Sequence, residues 1–160
     1  EGERAGKLLR RLLLAGFPAE HALKTLNSLL ALQGNAGAVS VDLAEISLES
    51  GIVHIYKWGG PPSWVFDRRK SEKIGTATPP PGLSLSGTRE ESVQLSLRGG
   101  EVLILLSDGV EVGEILRRNG MTPDAPPGEL AERLLELGCG NGGDDATVAV
   151  VRLHPLNLSA

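Results

Sequence analysis

Cysteine is nearly absent: Cys139, between Gly138 and Gly140, is the only one in 160 residues. An internal disulfide is thereby excluded, and the composition fits a reducing compartment. Cys139 is also poorly supplied with a base, since only His21, His54 and His154 exist and no spacing brings one to it. Aromatic residues make up 3% of the chain, too few for a base-stacking platform or a membrane belt. Positive charge is not in excess either. Sixteen Lys plus Arg against 20 Asp plus Glu give a net charge of −4, which argues against nucleic acid as a partner. No apolar run approaches the ~20 residues of a spanning helix, and no secretory signal opens the chain. The expectation is a single cytoplasmic domain, soluble and without membrane contact of its own, with roughly 70% of its unfolded surface buried. The start at Glu1, inside a helical pattern, suggests a piece of a longer protein.

What is present is leucine at helical spacing, then alternation. Leu8, Leu9, Leu12 and Leu13 predict a helix from about Arg4 to Ala15, closed by Gly16. Pro18 opens a second, whose stripe of Leu23, Leu26, Leu29 and Leu30 runs to Gln33. Residues 1–34 are thus a helical hairpin, and residues 38–160 the remaining core. Strand periodicity follows over 38–48 and 52–56, joined by Glu49-Ser50-Gly51 as a hairpin. Asp42, Glu45 and His54 read there as the wetter face of strands. Ser63 to Phe66 resumes a strand after Gly59-Gly60-Pro61-Pro62, and 67–72 reads as a polar loop whose Arg68, Arg69 and Lys70 are solvated. Trp58 and Trp64 flank that turn at packing positions. Thr78 to Gly82 is a proline-rich connector. Residues 91–97 and 102–106 are expected to pair as a second hairpin. Helices follow near 112–118 and 128–137, and a last strand runs from Ala146 to Leu153.

The chemistry sits at two strand ends. Val102 to Leu106 is apolar at every position, which predicts a strand buried on both faces, and Ser107-Asp108-Gly109 follows it. Gly143-Asp144-Asp145 precedes the last strand in the same way. If the two ends meet, carboxylates so close need a cation. Oxygen donors without a His/Cys cluster suit Mg²⁺ or Mn²⁺ rather than Zn²⁺. Such ions acidify a bound water and neutralise phosphoryl oxygens, as phosphate-ester hydrolysis requires.

Leu106-Ser107-Asp108-Gly109 together with Gly143-Asp144-Asp145-Ala146-Thr147-Val148 resembles the C-terminal metal motifs of type 2C (PPM) serine/threonine phosphatases. The chain is most similar to the SpoIIE branch, the sporulation phosphatases of endospore-forming bacteria. That similarity runs through 22–30, Val41 to Ile46, Lys57-Trp58-Gly59-Gly60-Pro61-Pro62-Ser63 and Pro81-Gly82. It implies an α+β fold, a PPM-type antiparallel β-sandwich flanked by α-helices, incomplete at the N-terminus. It also implies a site for two Mn²⁺ or Mg²⁺ ions, with Asp108 and Asp144 as metal ligands and Gly109 and Asp145 beside them. Phosphoserine is then hydrolysed by a metal-activated water, with no catalytic nucleophile on the protein. The implied substrate is a phosphorylated anti-sigma-factor antagonist, a STAS-domain protein whose dephosphorylation activates a sporulation sigma factor.

Two further implications concern what surrounds the site. The N-terminal helices become the candidate switch and homodimer element, through Leu23, Leu26 and Leu30, and the parent protein is expected to be membrane-anchored. The family's first Asp-Gly motif, which bridges both metals, has no counterpart here, because Asp108-Gly109 is the one Asp-Gly pair in the sequence. Little activity is therefore expected from this piece alone. A non-catalytic regulatory or dimerisation module of the same fold stands as the alternative.

Overall fold

The computed structural model describes residues 2–34, 39–76, 78–83, 91–118, 120–140 and 145–154. The element order is α1 (Gly2–Leu14), α2 (Ala19–Leu32), β1 (Val41–Ile46), β2 (Ile52–Trp58), β3 (Ser63–Phe66), β4 (Ser71–Ile74), β5 (Glu91–Ser96), β6 (Val102–Leu106), α3 (Gly113–Arg118), α4 (Pro127–Gly138) and β7 (Val148–Arg152). None of the described helices is long and apolar enough to cross a membrane. Two compact units emerge, one built on residues 1–45, 54–60 and 77–93, the other on 46–53, 61–76 and 94–160.

In the first unit α1 and α2 form the leucine-rich hairpin that their spacing predicts. Gly16 turns the chain at φ +87°, and the Gly16 and Phe17 amides donate to the carbonyls of Leu13 and Leu12, satisfying the end of α1 as a glycine cap does. Pro18 then precedes the first turn of α2. The inward stripe of Leu9, Ala22, Leu23, Leu26 and Leu30 packs with Trp58, which is 3% exposed. The proline-rich connector is pinned here. Thr78 Oγ1 donates to the Lys57 carbonyl at 2.9 Å and accepts from the Gly59 amide at 3.1 Å, while the Gly82 amide donates to Asn27 Oδ1 at 2.7 Å. Gly59, at φ +79°, has no room for a side chain, because a Cβ there would meet Pro80 Cα at 2.6 Å.

Strands β1, β2 and β5 form a three-stranded sheet in the order β1-β2-β5. The connection from Ser47 to Gly51 is closed by Ser47 N–H to Ile52 O at 2.9 Å and Gly51 N–H to Ser47 O at 2.8 Å, and a link this short joins antiparallel neighbours. The expectation of a strand from 38 narrows to a start at Val41.

The second unit holds an antiparallel sheet in the order β4-β3-β6-β7. Its register aligns Trp64, Ile104 and Val150 across three strands, and Phe66, Val102 and Arg152 likewise. That face packs on Leu116 of α3 and on Leu130 and Leu134 of α4.

Two expectations are corrected. Residues 91–97 and 102–106 do not form a hairpin, since β5 and β6 lie in different sheets. Both edges of β6 are occupied, by β3 and β7, so no ladder remains for β5, which pairs with β2 instead. The polar loop at 67–72 is shorter than expected, because β4 begins at Ser71. Its turn is closed by Asp67, whose Oδ1 accepts from the Arg69 and Lys70 amides at 2.6 and 2.8 Å, the side-chain mimicry typical of Asx turns.

Candidate functional site

Val102, Leu103 and Ile104 have no exposed surface and Leu106 has 7%. A strand buried this fully and paired on both sides holds its last residues in a fixed direction. One step beyond the ladder, Ser107 and Thr147 continue the pairing. The Ser107 amide donates to the Thr147 carbonyl at 3.0 Å, and the Thr147 amide donates to Ser107 Oγ at 2.8 Å. This clip puts Asp108 immediately past the end of β6, beside the segment that leads into β7. Asp145, two residues before Thr147, enters from the facing strand, and both aspartates are exposed.

The chain turns sharply at Gly109, where φ is +85°, a conformation that costs glycine little. It is then tied to the end of α4, through a bridge between Val110 and Cys139 and through the Glu111 amide donating to Gly138 O at 3.0 Å. Gly138 is required by contact, since a Cβ there would stand 2.9 Å from Val110 Cγ1. Cys139 thus serves as the closing residue of a helix, its amide bonded to Leu135 O at 3.1 Å.

Asp108 opens onto a cleft of about 750 Å³ within the second unit. Trp64, Val112, Ile115 and Pro61-Pro62 supply its apolar lining, and Lys73 and Arg117 its cations. No histidine lines it, so Cys139, which does, has no imidazole base there.

Asp144 lies outside the described residues. Among the described residues no group of three or more His, Cys, Asp or Glu side chains is placed to share an ion. Asp108 and Asp145, which flank the Ser107–Thr147 clip, are oxygen donors on short side chains. That donor chemistry fits a hard divalent cation and does not fit zinc. Leu23, Leu26 and Leu30 face inward, at 1%, 1% and 5% exposure; the open leucines of the helical hairpin are Leu14 and Leu32.

Sequence reasoning missed a buried ion pair. Asp42, read as part of a solvated face, makes a salt bridge with Lys57, whose side chain has no exposed surface while that of Asp42 keeps 12%. The signal was in the alternation: Val53, Ile55 and Lys57 share the inward face of β2. A Cβ on Gly60 would collide with that Asp42 carboxylate, so the Gly-Gly turn admits the acid closely. The reading of Arg68 to Lys70 as a solvated cluster holds, with Arg68 bidentate to Asp124 at 2.9 Å and Lys70 paired to Glu72 at 2.5 Å, both in the open.

The family model for Stage II sporulation protein E (SpoIIE) matches residues 3–154. A stage II sporulation protein E of Priestia megaterium is 30% identical over 92% of this chain, which spans 28% of that relative's length. The solved PP2C phosphatase domain of SpoIIE from Bacillus subtilis, with a fragment of its regulatory domain, is 30% identical with a TM-score of 0.76, covering 94% of this chain and 48% of that one. The manganese-presoaked phosphatase domain of the same protein is 31% identical with a TM-score of 0.62, covering 92% and 70%.

Proposed function

Since this chain belongs to the SpoIIE family and has the mixed helix and antiparallel-sheet fold of its PP2C phosphatase domains, we propose that it is the phosphatase domain of a metal-dependent serine/threonine protein phosphatase. The observation that carries the reading is the Ser107–Thr147 clip, which delivers Asp108 and the 145–147 segment to one place at the mouth of a cleft. In this proposal Asp108 and Asp144 hold Mn²⁺ or Mg²⁺, with Gly109 and Asp145 beside the ion. The manganese-presoaked relative supports the choice of ion. A bound ion supplies an acidified water and neutralises phosphoryl charge.

The protein's own residues have the supporting work. Ser107 Oγ is engaged by the Thr147 amide and donates to the Asp108 carbonyl at 3.3 Å, so it holds the strand end and leaves attack to water. The cleft beside Asp108 receives and orients the phosphorylated segment. The substrate we assign is the phosphoserine of an anti-sigma-factor antagonist of the STAS class, whose dephosphorylation activates a sporulation sigma factor. The helical hairpin, with Leu23, Leu26 and Leu30 in its core, is assigned as a switch and homodimer element, and the domain is placed on the cytoplasmic side of a membrane-anchored parent.

The test is Mn²⁺ binding, followed by electron paramagnetic resonance, together with phosphate release from a phosphoserine protein, both measured on a protein that carries an upstream Asp-Gly motif together with this chain. Asp108→Asn should weaken both by at least about a hundredfold, the scale of losing part of a metal's ligand sphere. Equal Mn²⁺ affinity in the two proteins, with no phosphate released by either, would instead favour the non-catalytic module.

A further inference from the structure

The cleft beside Asp108 carries both signs of charge, with Asp108, Glu111 and Glu114 as its acids and Lys73 and Arg117 as its cations. Trp64, Lys73 and Arg117 gather at one point of its lining. Lys73 is the cross-strand partner of Trp64 in the β3–β4 register, so the two side chains leave the same face of the sheet. Arg117 reaches the same spot from α3. Its Nε donates to the Gly113 carbonyl at 2.9 Å, and its Nη2 lies 3.7 Å from where a Cβ on Gly113 would be. Trp64 Cη2 lies 2.8 Å from that same point. Gly113 is therefore the place where an indole and a guanidinium converge, and any side chain there would push them apart.

These two cations differ from their neighbours. Arg68 is answered by Asp124 and Lys70 by Glu72, whereas among the described residues neither Lys73 nor Arg117 has a carboxylate partner. Both are exposed and both face the cleft. Guanidinium and ammonium donors held beside an aromatic ring, with no acid of their own, match a carboxylate supplied from outside.

We infer that the Trp64–Lys73–Arg117 end of the cleft is a specificity subsite for an acidic stretch of polypeptide flanking the phosphoserine. This inference rests on the phosphatase reading for the phosphoserine itself, but the subsite makes its own prediction. The phosphorylated residue would then lie at Asp108 and the flanking glutamate or aspartate at Lys73 and Arg117.

The experiment uses fluorescein-labelled phosphoserine peptides flanked by glutamate, alanine or lysine, titrated into the chain and followed by anisotropy. The glutamate-flanked peptide should bind most tightly, with a preference that fades as salt rises. Lys73→Ala and Arg117→Ala should each weaken it about threefold, the scale of an exposed ion pair, and leave the alanine-flanked peptide unchanged. Joint Lys73→Glu and Arg117→Glu exchange should invert the order, so that the lysine-flanked peptide binds best; loss of fold alone would not produce that inversion. Equal binding of the three peptides, or an order unmoved by the exchange, would overturn the subsite. Failure of the phosphatase reading looks different: the charge preference would persist while no peptide releases phosphate with Mn²⁺ even when an upstream Asp-Gly motif is supplied with the chain.

Discussion

The two hydrophobic clusters of this protein are built to different standards. Around α3 and α4 the packed residues are apolar, with Val102, Ile104, Leu130 and Leu134 at no more than 1% exposure. The one charge described at the margin is Arg152, beside Val102 at the far end of β6, whose Nη2 donates to the Ala125 carbonyl at 2.5 Å while its buried Nε has no partner among the described residues. Around α1 and α2 the leucines are as deeply buried, but Trp58 keeps an indole N–H with no hydrogen-bond partner, and the same unit encloses the Lys57–Asp42 pair. A dry, close-packed core has one good arrangement and tolerates little displacement. A core with polar groups inside holds its place by specific contacts, and losing one leaves a buried group exposed to a large penalty. The site-bearing end of β6 belongs to the first kind. The lesson is that rigidity has been spent where Asp108 must be aimed, and conditional packing lies under the helical hairpin.

The contrast is broken most severely at the ion pair. Asp42→Ala takes a carboxylate away from a fully buried ammonium and should cost about 3–5 kcal/mol, read as a drop in the denaturant midpoint. Adding Lys57→Met should recover much of that loss, because an apolar chain of similar length needs no counter-charge. In the dry cluster, Leu134→Ala should cost about 2–5 kcal/mol through the cavity it opens, with no second-site polar rescue. Gly113→Ala brings a methyl to 2.8 Å from the Trp64 ring, and should cost about 1–3 kcal/mol by overpacking while shifting Trp64 fluorescence. Ser107→Ala removes the acceptor of the Thr147 amide, worth about 1 kcal/mol, and should lower Mn²⁺ affinity more than stability.

The smallest effect is that of pH. Two hydrogen bonds from Arg68 hold the Asp124 carboxyl below its usual range, and the Arg69 and Lys70 amides do the same for Asp67. A carboxylate depressed in the folded state contributes stability above its unfolded pKa and loses it as pH falls through the folded value. Thermal melts should therefore soften slightly below about pH 4, and Asp124→Asn should flatten part of that slope.

Much of this architecture could be read from residues. An unbroken apolar run such as Val102 to Leu106 has only a buried strand to belong to, and the acid after it is carried along to the strand's end. Ser63 to Phe66 was legible because a Pro-Pro turn and Asp67 bracket it. What stayed hidden depended on partners far away in the chain. Nothing local says that β3 and β7 occupy both edges of β6, so the turn at Arg98 to Glu101 suggested a hairpin that does not form. Lys57 was overlooked because lysine reads as surface, although its place in the alternation pointed inward. The Lys73–Trp64–Arg117 convergence needs a cross-strand register and a helix at once, and no spacing rule contains both.

The clip between Ser107 and Thr147 joins residues 40 positions apart. On a ribosome, Asp108 would emerge well before the strand that faces it, and the contact must close a loop whose entropic cost a local turn does not carry. Until β7 docks, the two strand ends are not together. A chain halted short of residue 147 would lack the pairing of β6 with β7 that brings these two strand ends together.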